Sequence, residues 1–308
     1  MPGPLTRIAR GVGDLAFADR DAPAPAAHLP SGIRLRRYMV AAAACALPCL
    51  AVAAFFLGSR VLLVAAVSFA AAWPVEQVVA RLRGRRSRGG ALTVALLLAL
   101  VLPVSLPLWL VALTAAFGTF FGKEVFGGTG HSVFNPVLIG KAFVTVSFPT
   151  LTTGPSFTGL SMSAIRQVGS MHLAAAEAQG AVILAAGVVL LFWRAVDWRV
   201  PATTIAVVLA AVFVLGRLGL GDAPTLYRFL LGGGFLFGAL VLAGDPGTAP
   251  GTRGARYFYG LLIGALAALI ATFTENADYA MYAILLGNVA APTMDATALG
   301  ETGGEGQP

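Results

Sequence analysis

Charge is scarce in this chain. Only 11% of its 308 residues are Asp, Glu, Lys or Arg, against roughly 25% in an ordinary soluble domain, which excludes a normal water-facing surface. Cysteine is scarcer still. Cys45 and Cys49 are the only two, too few thiolates for an iron–sulfur cluster or a soft-metal site. Four residues apart, they share one helix face as small packing residues. The three histidines, His28, His131 and His172, are dispersed, with no pair at ligand spacing and no acidic cluster beside them. Nothing here points to haem ligation, hydrolysis or metal catalysis. The N-terminal arm, residues 1–37, has no apolar core of signal-peptide length and no small-residue cleavage site before the first span.

What the chain does have is apolar sequence, 57% by composition. Runs near or above about 18 residues argue for transmembrane helices. Ten spans separate at their breakers: Tyr38 to Leu57, Val61 to Ala80, Ala91 to Leu102, Leu106 to Phe121, Val133 to Phe148, Gly180 to Trp193, Pro201 to Leu215, Phe229 to Ala243, Tyr257 to Phe273 and Tyr279 to Ala291. The third is too short to cross a core of about 30 Å at 1.5 Å per residue.

The order of these spans repeats. Each half opens with a hairpin, continues with a span ending in a Pro-containing break (LVLPVSLP, LVLAGDPGTAP), and closes with an Asn-containing, small-residue helix end (FNPVLIGKAF, AILLGNVAAP). Five spans per half require the halves to have opposite orientation. The expected fold is therefore all-α and polytopic, in two inverted five-helix repeats with broken helices, 38–148 and 180–295. A loop at 149–179 joins them, and a disordered tail, 296–308, follows.

The net charge of +7 serves to orient such a chain and is no signal for nucleic acid. With the N-terminus inside, 13 Arg and Lys, including the cluster RLRGRRSRG from Arg81, fall on the cytoplasmic side against 4 outside. The positive-inside rule is satisfied. Both termini are then cytoplasmic, in an inner membrane, and the 149–179 loop is periplasmic.

The polar block GKEVFGGTGHSVFNPVLIGKAF interrupts this grease. Adjacent Lys123 and Glu124 fit interfacial anchoring, mutual pairing or a cation site. Lys141 lies nine residues into its span, where an unpaired ammonium costs several kcal/mol, so it should face a cavity or an anion. Asn135-Pro136 is a helix opening, with a capping Asn and Pro at the first position. Gly127 and Gly128 allow backbone to approach a helix or a planar ligand closely; no GK[ST] ending follows them, which rules out a P-loop. Asp245-Pro246, in the second break, either caps or faces the same central cavity. Asp295 reads as a cap or a surface acid.

These stretches resemble a known family. LPVSLPLWLVALTAAFGTFFGKEVFGGTGHSVFNPVLIGKAF, LGGGFLFGALVLAGDPGTAP and AILLGNVAAPTMD are similar to the membrane-embedded B subunit of the sodium-translocating NADH:quinone reductase and to the D subunit of the Rnf electron-transport complex. The resemblance implies a fold like that of urea and ammonium channels. It also implies membrane-embedded flavins that pass electrons towards quinone, one an FMN joined by its phosphate to a hydroxyl in a periplasmic D-x-x-[ST]-G-A-T motif, with riboflavin or another non-covalent flavin as a further expectation. A flavin transferase and other membrane and periplasmic flavin subunits are the implied partners.

The corresponding residues are PSFTGLS, with Thr158 and Gly159 matching and Ser161 at the acceptor position. Pro155 stands where the family has an acid and Leu160 where it has alanine. Two readings stay open: a flavin-carrying redox subunit, and a flavin-less channel-like transport or scaffold subunit. Without a nicotinamide-binding signature or a cysteine cluster, the redox subunit needs partners to take electrons from NADH.

Overall fold

A computed structural model describes residues 32–84, 87, 89–152, 154, 156–158, 170–218, 234–274 and 278–303. Helix is the only regular structure among them. The elements are α1 Gly32–Leu57, α2 Arg60–Leu82, α3 Ala91–Val101, α4 Leu108–Thr119, α5 Pro136–Ser147, α6 Ser170–Phe192, α7 Arg199–Leu218, α8 Phe235–Phe237, α9 Arg253–Phe273 and α10 Tyr279–Gly303. α4 runs into a π-turn, Phe120–Glu124, and α8 into another, Gly238–Leu242. α1, α2, α7 and α9 are long and apolar enough to cross a membrane.

The breaks form for local reasons. α3 starts after Gly89 and Gly90, both at positive φ, and stops because Leu102 precedes a proline and is extended (φ −78, ψ 147). Its 11 residues span about 16 Å, and every one except Leu92 is buried. A helix apolar on all sides belongs inside a bundle. α1, α2 and α5 pack around it.

Elsewhere α2 and α5 flank α4, and α7 and α10 flank α9. Gly118 and Gly122 let α4 close on α5, where an added Cβ would sit 2.5 Å from the Pro136 carbonyl oxygen and 2.5 Å from the Pro136 Cα respectively. Phe55, Phe192, Phe213, Phe258 and Phe273 project outward, an apolar surface suited to lipid rather than water.

Among the described residues, three boundaries differ most from the sequence expectation. α1 begins six residues before Tyr38, because the Leu-Arg-rich lead-in is good helix former. α6 begins at Ser170, inside the expected 149–179 loop, where MHLAAAEAQ is again strongly helix-forming. α10 continues through Pro292 to Gly303, into the stretch expected to be disordered. There Thr293 and Thr297 bond back to the carbonyls of Ala290 and Thr293. The expected arm 1–37 and the Phe229 to Ala243 span lie partly outside the described residues.

Candidate functional site

A helix that stops inside a bundle leaves its last carbonyls without partners. The end of α3 resolves this with one local amide and two groups from distant sequence. The Leu98 carbonyl accepts from Leu102 N at 2.9 Å, and the Leu100 carbonyl from Thr158 N at 3.2 Å. The Val101 carbonyl accepts from Lys141 Nζ at 3.0 Å. The same ammonium lies 2.6 Å from Asp278 Oδ1, directly before α10. Lys141 thus sits at the negative end of one helix and Asp278 at the positive end of another, each with the favourable sign. The anion expected opposite Lys141 is a carboxylate of the chain itself.

The loop between α5 and α6 reaches this junction. Phe157 and Thr158 are buried. An added Cβ on Gly234, at φ +68, would stand 3.0 Å from the Thr158 carbonyl oxygen. Thr158 is therefore held between the end of α3 and the glycine that opens α8. Gly159 and Ser161 lie outside the described residues.

The other polar groups gather at the opposite end of α3. Asn135 caps α5 as expected, its Oδ1 accepting from Val137 N at 3.0 Å, with Pro136 at the first helical position. Its Nδ2 points to Asp245 Oδ2 at 3.4 Å and the Leu242 carbonyl at 3.5 Å, so the start of α5 meets the second break. The neighbouring π-turn carbonyl, Val241, accepts from the Tyr38 hydroxyl at 2.9 Å. Asn135, Asp245, Tyr38, Lys123 and Thr129 line a cavity of about 40 Å³. That volume takes one or two waters and lies far below the roughly 300 Å³ at which ligand pockets begin. A flavin ring does not fit there. Gly127 and Gly128 make the turn beside it, at φ +117 and +90, and Gly128 N donates to the Lys123 carbonyl at 3.1 Å.

Lys123 is buried among acids. Its Nζ lies 2.7 Å from Glu76 Oε2, 3.5 Å from Glu124 Oε1 and 2.9 Å from the Gly89 carbonyl. Glu76 also accepts from Ala91 N at 3.0 Å, capping α3, and from the Ser87 hydroxyl. Thr129 Oγ1 donates to the Gly89 carbonyl at 2.5 Å. A buried charge needs this density of partners.

A polytopic helical chain in which the start of α5 meets the second break is matched by the profile of the NQR2, RnfD, RnfE family over residues 23–302. The chain belongs to that family. Among its relatives, the B subunit of the Na(+)-translocating NADH-quinone reductase of Azotobacter vinelandii is 34% identical over 262 residues, covering 75% of this chain and 64% of that protein. The proteins of the same name from Pseudomonas aeruginosa strain PAO1 and Yersinia pestis are each 30% identical, covering 71% of this chain and 62% of theirs. The match thus spans under two thirds of these relatives' length. Family membership and the apolar helices make this a multi-pass membrane protein.

Within the family frame, the structure joins Asn135 to Asp245 and sets Gly127 and Gly128 beside them. It places Lys141 and Thr158 together at the other end of α3. Sequence reasoning missed Glu76 and Asp278. Glu76 carried a signal, an acid inside the apolar run Val61 to Ala80. Asp278 carried none, since it precedes its helix like any capping acid. Asp295 ties α10 to the turn before α9, accepting from Gly251 N at 2.8 Å and Thr252 N at 3.0 Å, while Thr252 itself caps α9.

Proposed function

We propose that this chain is the flavin-carrying membrane component of an ion-translocating, quinone-linked electron-transport complex, passing electrons between partner redox centres and quinone. The observation that carries the reading is the seating of Phe157 and Thr158 against the broken end of α3, three residues before the Ser161 hydroxyl that matches the family's acceptor position. A loop with no ligand to present has no evident need to enter the bundle there. Ser161 would carry FMN as a phosphoester, and the bound flavin would supply one- and two-electron transfer. The names of the relatives point to sodium and quinone.

In this reading the chain forms two inverted five-helix repeats in an inner membrane, with both termini cytoplasmic. The packing pairs support the repeat: α2 with α4 and α4 with α5 in one half, α7 with α9 and α9 with α10 in the other. Other membrane and periplasmic flavin subunits would deliver and remove electrons, and a flavin transferase would load Ser161. Any non-covalent flavin requires a site other than the 40 Å³ cavity.

A second reading, a flavin-less channel-like transport or scaffold subunit, is favoured by Pro155 and Leu160 in place of the family's acid and alanine. In-gel flavin fluorescence separates the two. After co-expression with a flavin transferase, a denatured band that fluoresces in wild type and is dark in Ser161→Ala supports the redox reading. Dark bands in both, with no flavin co-purifying, support the second.

A further inference from the structure

We propose that the end of the bundle where α6 turns into α7 and α9 begins is a binding surface for the headgroup of an anionic phospholipid. This requires only that the chain be embedded in a membrane, and it is independent of the flavin reading.

Basic, aromatic and apolar side chains follow one another there as the parts of a lipid do. Along α9, Arg253, Tyr257 and Leu261 are spaced four residues apart and form one ridge. All three are exposed. Over about 12 Å the ridge passes from a cation through an amphipathic ring to an aliphatic side chain. Beside it, Phe258 is exposed, and Gly254 faces open space, where an added Cβ would meet nothing within 4 Å. A headgroup has room at the first turn, with apolar surface below it for an acyl chain.

The turn from α6 to α7 supplies the second wall. The Arg199 guanidinium carbon lies 5.2 Å from the Trp198 ring centre and 5.8 Å from that of Tyr257, and the two rings meet edge to face at 6.4 Å. Exposed Trp and Tyr favour the membrane–water interface, which sets these arginines at headgroup depth. Arg194 adds a further exposed cation. It closes α6, with its own amide on the Leu191 carbonyl and the Ala195 amide on that of Leu190. At φ +53 it is the one non-glycine with positive φ among the described residues. Glycine is the usual residue at such a helix end, and backbone strain of this kind concentrates at functional sites.

The charges at this end do not balance. Arg256 is engaged internally: Nε and Nη2 donate to the Pro250 and Gly251 carbonyls at 2.9 Å each, and Nη1 lies 2.5 Å from Asp197 Oδ2. Arg199 shares that carboxylate at 3.2 Å. Asp295 is taken up by the Gly251 and Thr252 amides and the Thr252 hydroxyl. Arg194 and Arg253 pair with no carboxylate among the described residues. They are the surplus, and a guanidinium matches phosphate oxygens in charge and in its forked geometry. The apolar continuation of the ridge favours a phosphate that carries acyl chains over a free one. In the orientation proposed above this end is cytoplasmic, facing the leaflet whose anionic lipids attract basic segments.

The test titrates the delipidated full chain, in neutral detergent, with tail-labelled phosphatidylglycerol and separately with phosphatidylcholine of the same acyl chains. Wild type should bind phosphatidylglycerol about tenfold or more tighter. Arg194→Gln and Arg253→Gln should each weaken that binding about fivefold, with phosphatidylcholine binding and the thermal midpoint unchanged. Arg217→Gln is the control. Arg217 is exposed near the other end of α7, about 27 Å from Arg199, and its loss should shift binding by no more than about twofold. Equal binding of the two lipids overturns the proposal, because an orienting role for the arginines needs no headgroup preference. A loss in Arg217→Gln as large as that in Arg253→Gln also overturns it, showing diffuse charge rather than a site. Inorganic phosphate that displaces the lipid at equal concentration makes this a phosphate site instead. A cross-linker on Gly254→Cys that captures a protein subunit in native membranes gives the surface to a protein partner, and overturns the lipid assignment.

Discussion

Lys123→Met removes the ammonium that Glu76 contacts. Lys123 and Glu76 have side chains 3% and 2% exposed and meet at 2.7 Å, so little solvent can replace the lost charge. Deleting one member of a buried pair costs about 3–5 kcal/mol, because the remaining charge is left uncompensated. Glu124, 3.5 Å from the same ammonium, then faces Glu76 with nothing between them. At about 2–3 °C per kcal/mol for a large chain, the thermal midpoint in detergent should fall by roughly 6–15 °C. Glu76→Gln should cost less, about 1–3 kcal/mol, since its amide still offers an oxygen to Ala91 N and Lys123 keeps Glu124. The double variant should be less damaged than the sum of the two, with a coupling of about 0.5–3 kcal/mol. A Lys123→Met midpoint within about 2 °C of wild type, or strict additivity, would refute the argument that this pair holds α2 against the start of α3.

Gly122→Ala places a Cβ 2.5 Å from the Pro136 Cα and should lose about 1–3 kcal/mol by overpacking α4 against α5, whereas Gly254→Ala meets nothing within 4 Å and should behave as wild type in the same detergent melt. Asp197, in the turn between α6 and α7, tests linkage outside the membrane. Burial opposes its ionisation, but the Arg199 amide and the Arg256 and Arg199 guanidiniums prevail and hold its carboxyl below the usual 3.8. A depressed folded pKa stabilises above the unfolded value and is lost as pH falls through the folded one. Asp197→Asn should therefore be slightly less stable than wild type at pH 7, by up to about 1 kcal/mol for the Arg256 pair, and the two melting curves should converge below the usual carboxylate range. A gap that persists in acid would assign the effect to packing.

Local chemistry made several features legible in advance. The Asn135 cap with Pro136 behind it, the stop of α3 before Pro103, and the two small cysteines on one face of α1 depend on neighbours within four residues, and they stand where expected. The ends of α1, α6 and α10 were less legible, because apolar runs mark where a helix can meet lipid and not where good helix formers continue beyond it.

Lys141 shows the division most clearly. Its position in an apolar run determined, from sequence alone, that an ammonium at that depth needs a cavity or an anion, since hydrocarbon offers no solvation. Which anion it meets was decided only by tertiary structure. Asp278 lies 137 positions away and Val101 lies 40, and only the packing of α3, α5 and α10 brings them within 3 Å. The same holds for Glu76 with Lys123 and for Asn135 with Asp245. The need for a partner is set by local burial and charge. The partner's identity is set by which broken helix ends the fold brings face to face.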